Sequence, residues 1–357
     1  MPIENYSPTL IQFLKASAKS PNQSFFTRAA QHQNQLTKPP GSLGKLEALA
    51  IQLASLQESK SPKIENILIR IFAADHGVVD EGVSAFPQAV TAEMIKNFSA
   101  GGAAITVLAK SLGADFGVIN LGTVLPLPQL DKVIDKRIDA GTKNFCKEAA
   151  MTESQLETAL LAGRDLILQA NKQTAPDIFI GGEMGIGNTT SASALACAIL
   201  KQPASSLVGK GTGIDDAGIK RKIAAVERAL TLHNSAVASP LSSLQALGGF
   251  EIAGLVGATL ACAQEGIPIM VDGFISTVAT LIAVEINPNI RPWLFFSHCS
   301  AEAGHASVLK HLNADALLNL NMRLGEASGA AVAVPLLKMA CDLHNNMATF
   351  DQAGVSH

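Results

Sequence analysis

Glycines and small polar residues cluster where the chain leaves an apolar run: Gly181-Gly182-Glu183-Met184-Gly185-Ile186-Gly187-Asn188-Thr189-Thr190 leads directly into an alanine-rich helical pattern. Glycines let backbone amides approach an anion, and a helix N-terminus adds free N–H groups with a partial positive charge. The segment can therefore hold a phosphate with little side-chain charge. Asn188, Thr189 and Thr190 add polar groups, which favours phosphate over a turn that only packs a helix on a sheet. A second cluster, Gly209-Lys210-Gly211-Thr212-Gly213, precedes Asp215-Asp216 and a helical pattern bearing Lys220, Arg221 and Lys222. It is a candidate opposite wall; the plainer alternative is that Asp215 caps a helix whose basic residues face solvent. No Gly-Lys pair in the chain is followed by Ser or Thr at the spacing of a nucleotide-binding loop, and neither cluster completes the dinucleotide fingerprint. ATP hydrolysis and hydride transfer therefore lose sequence support.

Asp75 and His76, in Ala73-Ala74-Asp75-His76-Gly77, could move protons or ligate a metal. No second histidine stands at helical ligand spacing, and His298 and His305 are isolated, so a hydrogen-bonded structural pair is expected and no metal. The following turn, Gly82-Val83-Ser84-Ala85-Phe86-Pro87-Gln88, combines a hydroxyl, an aromatic ring and an amide. That mixture suits a flat heteroaromatic ligand, but the residues alone favour an ordinary surface turn. Glu326 lies among small residues in Leu324-Gly325-Glu326-Ala327-Ser328-Gly329, where the last helical pattern begins. It reads either as a first-turn partner of the helix dipole or as a general base whose pKa desolvation would raise toward the working pH.

Elements must bring these groups together. Short β-rich runs, each followed by a glycine-bearing turn and a helical pattern, predict an α/β, doubly wound, mostly parallel (Rossmann-like) sheet. The predicted strands are Ile67–Ala73, Phe116–Leu121, Asp177–Ile180, Ile267–Val271, Trp293–Ser297 and Ala316–Leu320. Helices are predicted over Glu47–Gln57, Thr190–Leu200, Ile219–Asn234, Glu251–Gln264 and Glu326–His344, the last bent at Pro335, which lacks a backbone donor. In such sheets ligands bind beyond the carboxyl ends of the strands. The search therefore falls on Asp75-His76-Gly77, Gly181–Asn188, Asp272-Gly273, Ser297–His305 and Asn321–Glu326. Helical patterns at both ends predict a small helical domain from residues 1–60 with 326–357, beside an α/β substrate-binding domain at 61–325.

The 357 residues are 48% hydrophobic and 16% charged with a formal net charge of -3, which suits a packed α/β protein and excludes a broad basic field for nucleic acid. Five widely spaced cysteines fit reduced thiols in a cytoplasmic protein better than a disulfide or zinc framework. Met1-Pro2-Ile3-Glu4-Asn5 offers neither a basic leader nor an apolar stretch, so export is not expected. The apolar regions Ile252–Ala263 and Ile275–Ile286 are too short to span a membrane.

Taken together, several motifs resemble the nicotinate-nucleotide:dimethylbenzimidazole phosphoribosyltransferase family. The resemblance covers Lys38-Pro39-Pro40-Gly41-Ser42-Leu43-Gly44, Ala73–Gln88, Gly181–Thr190, Gly211–Asp216, Val271-Asp272-Gly273-Phe274, Ser297–His305 and Arg323–Gly329, in order. It implies that a ring nitrogen of dimethylbenzimidazole attacks the anomeric carbon of nicotinate mononucleotide, expelling nicotinate and giving α-ribazole phosphate for cobalamin assembly. By the same resemblance Glu326 is the general base, and Ser84, Phe86, Gln88, Leu324 and Gly325 line the benzimidazole pocket. Glu183 lies near the ribose, and Gly185, Ile186, Gly187, Asn188, Gly211, Thr212, Gly213 and Lys222 hold the nucleotide phosphate. No cofactor or metal is required, the substrates are small molecules, and a homodimer is implied. A non-catalytic protein that binds a phosphorylated nucleoside, and a phosphoribosyltransferase for another aromatic acceptor, are the alternatives.

Overall fold

Aliphatic runs long enough to be covered on both faces point to a buried parallel sheet, because parallel strands need long crossover connections, usually helices, which cover the faces. The computed structural model describes residues 6–211 and 213–356, so Met1–Asn5, Thr212 and His357 lie outside the described residues. Its strands are β1 (Ile67–Ala74), β2 (Asp115–Gly122), β3 (Val133–Asp135), β4 (Ile178–Met184), β5 (Ile269–Val271) and β6 (Leu294–Phe296). All neighbouring pairs are parallel, in the order β3-β2-β1-β4-β5-β6. This is the doubly wound order, in which the chain reverses its direction of travel between β1 and β4 and opens a crevice at their carboxyl ends.

Three strand expectations are corrected. Ala316–Leu320 is not a strand: Leu318 makes only an isolated bridge to His298. Leu317 and Leu318 pack inward beyond the end of β6 while Leu320 is exposed, which imitates a strand's apolar pattern. β3 escaped the reading because it is a three-residue edge strand flanked by Lys132 and Lys136, with no doubly buried run. β4 runs four residues further than predicted, through Gly181 and Gly182. A Cβ on Gly181 would meet Leu255 at 2.6 Å, and one on Gly182 would meet the Ala327 amide nitrogen at 2.6 Å. These two glycines serve close packing on the sheet faces.

The helices follow the predicted pattern at Lys45–Leu56, Asn188–Leu200, Asp216–Leu232 and Phe250–Glu265; the last predicted helix runs Ser328–Asn346, through Pro335. Asp215 caps its helix by accepting the Gly218 amide at 2.7 Å. The two chain ends meet: His32 Nε2 lies 2.9 Å from the His344 carbonyl oxygen, and Leu36 bridges Thr349. Among the described residues no helix is long and apolar enough to cross a membrane.

Candidate active site

Beyond the ends of β1, β4 and β5 the loops enclose a cavity of about 660 Å³. Its acidic side is assembled from three elements. Glu183 closes β4, Asp272 follows β5, and Glu326 stands in the turn before the last helix. That turn corrects the expectation of a first-turn glutamate: Gly325, Glu326 and Ala327 all have left-handed φ angles of 83°, 58° and 62°, and the helix begins only at Ser328. Left-handed backbone at a non-glycine residue costs on the order of 1 kcal/mol or more, so surrounding contacts must hold the turn. The Glu183 carboxylate accepts the Glu326 backbone N–H, and the close approach of Gly182 to Ala327 supplies the packing.

Burial dominates the electrostatics of this cluster. It pushes the Glu326 carboxyl up to about 7, with the Asp272 carboxylate adding to the effect. Glu183 is driven well above the usual carboxylate range by burial, then by Asp272, Glu251 and Glu326, although Asn188 donates its amide to it. Asp272 is also raised by burial, opposed by His298 and by the amides of Ala330, Gly273 and Gly329. Such a cluster carries fewer charges than carboxyls near neutrality and can accept a proton there.

The two glycine clusters converge on the same cavity. Gly185, Ile186 and Asn188 line it, Gly187 turns into the helix with φ 99°, and Gly211 lines it from the second cluster. A Cβ on Gly211 would meet Thr189 Oγ1 at 2.7 Å and Lys222 Nζ at 3.1 Å, so the two walls touch. Lys222 stands behind this wall rather than on it: its ammonium donates to Thr189 Oγ1 at 2.6 Å, and burial lowers its pKa to about 8. Gly213 is exposed outside the lining, and Thr212 lies outside the described residues.

The apolar side holds Phe86 and Leu324, both about half exposed, with Gly325 between the latter and Glu326. Ser84 and Gln88 are not on this lining. The Ser84 hydroxyl bonds the Phe86 backbone, and Gln88 Nε2 donates to the His76 carbonyl at 2.9 Å, so both shape the loop from within. Asp75 and His76 are hydrogen-bonded but not to each other: Asp75 accepts from Thr91 at 2.6 Å, and His76 Nε2 lies 2.7 Å from Glu251 Oε1. His305 is enclosed between Thr277 Oγ1 and the Ser300 amide, and burial lowers its pKa to about 3. Among the described residues no group of three His, Cys, Asp or Glu side chains is arranged to hold a metal.

Residues that sequence reasoning left out of the site include Asp272, Arg323 and Glu302, all on the lining. All three lie in turns already singled out after strands, so their signal was position rather than residue pattern. Val90 and Met94, four apart on the helix Ala89–Ala100, show one apolar helix face toward the cavity.

Residues 18–355 match a family model described as phosphoribosyltransferase. A protein of Xanthomonas campestris pv. campestris strain B100, named nicotinate-nucleotide–dimethylbenzimidazole phosphoribosyltransferase, is 53% identical over 346 residues, covering 97% of this chain and 99% of that protein. A protein of Pseudomonas fluorescens strain SBW25 with the same name is 57% identical over 331 residues, covering 93% and 94%. The crystal structure of the like-named enzyme from Thermus thermophilus superposes with a TM-score of 0.88 at 40% identity, covering 94% of this chain and 99% of that one.

Proposed function

Since the chain belongs to this phosphoribosyltransferase family, we propose that it transfers the phosphoribosyl group of nicotinate mononucleotide to 5,6-dimethylbenzimidazole, yielding α-ribazole 5'-phosphate and nicotinate. One observation carries the reading at the level of chemistry: Glu326, with a pKa of about 7, shares a single cavity with the glycine walls. A ring nitrogen of the acceptor forms the new bond to the anomeric carbon while the bond to the nicotinate nitrogen breaks and its electron pair leaves with nicotinate. Attack from the face opposite the leaving group inverts the centre. Glu326 takes the proton from the acceptor's other ring nitrogen, which prevents a cationic product ring. Holding the two reactants in line supplies much of the remaining rate.

In this reading Phe86, Leu324 and Gly325 form the acceptor's apolar wall, with Ser84 and Gln88 setting the loop's shape. Glu183 faces the ribose. The loop Gly185-Ile186-Gly187-Asn188, with Gly211 lining the same cavity, takes the phosphate, and Lys222 acts through Thr189. The helices within 1–60 and 326–357 form a small unit beside the α/β unit at 61–325, which the His32–His344 and Leu36–Thr349 contacts support. The protein acts in the cytoplasm as a homodimer, which gel filtration with light scattering tests. Incubation with both substrates should release nicotinate and form α-ribazole phosphate, followed by chromatography. A protein that binds the mononucleotide yet releases no nicotinate would sink the transferase reading.

A further inference from the structure

The loop that carries Gly185, Ile186 and Gly187 lies flat against the end of β1. A Cβ on Gly185 would run into the Ala74 carbonyl oxygen, and one on Gly187 would lie 2.9 Å from Val79 and 3.0 Å from the His76 Cβ. Contact alone leaves the loop free to slide, but one bond fixes its register. The Ile186 amide donates to Thr91 Oγ1 at 3.1 Å, and that hydroxyl donates to Asp75 Oδ1 at 2.6 Å. Asp75 and Thr91 are wholly buried. The second carboxylate oxygen of Asp75 accepts the Val124 amide at 2.8 Å, which anchors the acid to the loop after β2.

A hydroxyl can donate one proton and accept others, so its orientation is normally free. Here the carboxylate takes the proton, and the oxygen lone pairs are left to face Ile186. We propose that Asp75 and Thr91 are positioning residues for the sugar-phosphate loop: the carboxylate orients the Thr91 hydroxyl, and the hydroxyl sets the Ile186 peptide so that the loop presents its face to the donor. The same peptide precedes Gly187 and the helix start at Asn188, so a rotation at Ile186 would turn the N–H groups aimed at the phosphate. The buried His76–Glu251 bond holds the adjoining residue of β1's end and leaves the Asp75 carboxylate to this chain. This inference rests on the proposed donor site, since it gives the loop its ligand.

The test measures binding and turnover separately. Nicotinate mononucleotide is titrated calorimetrically into the wild type, Thr91→Val, Thr91→Ala and Thr91→Ser without acceptor, and steady-state rates are measured with both substrates. Loss of the hydroxyl in Thr91→Val or Thr91→Ala should weaken mononucleotide binding and raise its KM on the order of tenfold, with the KM for dimethylbenzimidazole within about twofold of wild type. Thr91→Ser, which retains the hydroxyl, should restore both to within about threefold. Unchanged mononucleotide binding in a folded Thr91→Val or Thr91→Ala protein overturns the proposal, as does an equal rise in both KM values. Weakened binding in these variants supports it even if the wild type proves unable to turn over, an outcome that would overturn only the transferase reading.

Discussion

Glu326 is subject to two opposing physical effects, and the backbone decides between them. In the first turn of a helix its charge would be favoured by the dipole. Instead the left-handed turn holds it two residues short of the helix, buried and near Asp272, and its carboxyl rises to about 7. The residue type was legible in the sequence, but its surroundings were not, because Asp272 arrives from β5, 54 positions earlier in the chain. A base of this strength must be ionised to act, so kcat/KM should climb as pH rises through about 7 and level off above it. Glu326→Gln should lower kcat on the order of 10²–10⁴-fold while leaving mononucleotide binding near normal; near-native turnover would refute the role. Stability should move the other way. A carboxyl whose folded pKa of about 7 exceeds its ordinary 4.5 favours the fold below pH 4.5 and loses that contribution as pH rises through 7. Glu326→Gln should therefore gain thermal stability relative to wild type at pH 8, with the gain shrinking toward pH 4. A scan of melting temperature against pH in both proteins checks the sign.

At the scale of elements, patterns set by burial were readable and patterns set by close approach were not. β1 and β2 carry doubly buried aliphatic runs, and their spans were predicted to within one residue. β4 looked complete at Ile180 because glycine signals a turn, yet its last two glycines are there for what packs against them. The same holds at the start of the helix Ser328–Asn346, where a Cβ on Gly329 would run into the His298 ring. His298 opposes the rise of the Asp272 pKa, so the clash bears on both packing and charge. Gly329→Ala should destabilise the protein by about 1–3 kcal/mol, the usual cost of overpacking, measured by urea unfolding. Displacing His298 also removes a stabilising neighbour of the Asp272 charge, so the acidic limb of the pH–rate profile should shift in the same variant. A variant as stable as wild type, with an unmoved profile, would show that the ring can yield freely.

For the whole molecule, the doubly wound order brings turns from across the sequence to one crevice, which is why a search confined to strand ends found most of the lining. The union of the chain ends was legible only as helical patterns, since its bonds link residues some 310 positions apart, such as Gln33 and His344 at 2.9 Å. That union contains a pH-sensitive joint. Burial, reinforced by His32, lowers the His344 pKa from 6.5 to about 4, against a hydrogen bond to the Lys60 carbonyl that raises it. The ring therefore stays neutral in the fold, with Nδ1 facing the Gln33 amide nitrogen. Turning that amide would relieve the donor clash on protonation but not the cost of burying the charge. Because the folded pKa is the lower one, the neutral ring's contribution is complete above pH 6.5 and is lost as pH falls toward 4. Between pH 7 and pH 5 the wild type should lose about 1–2 kcal/mol from this group alone, the lower figure allowing for solvent screening. His305 acts in the same direction, so the measurement must be a difference: urea unfolding of wild type and His344→Gln at both pH values. His344→Gln should start less stable at pH 7 and show a smaller drop on acidification by about that amount. Equal drops in the two proteins would place the acid sensitivity elsewhere in the fold.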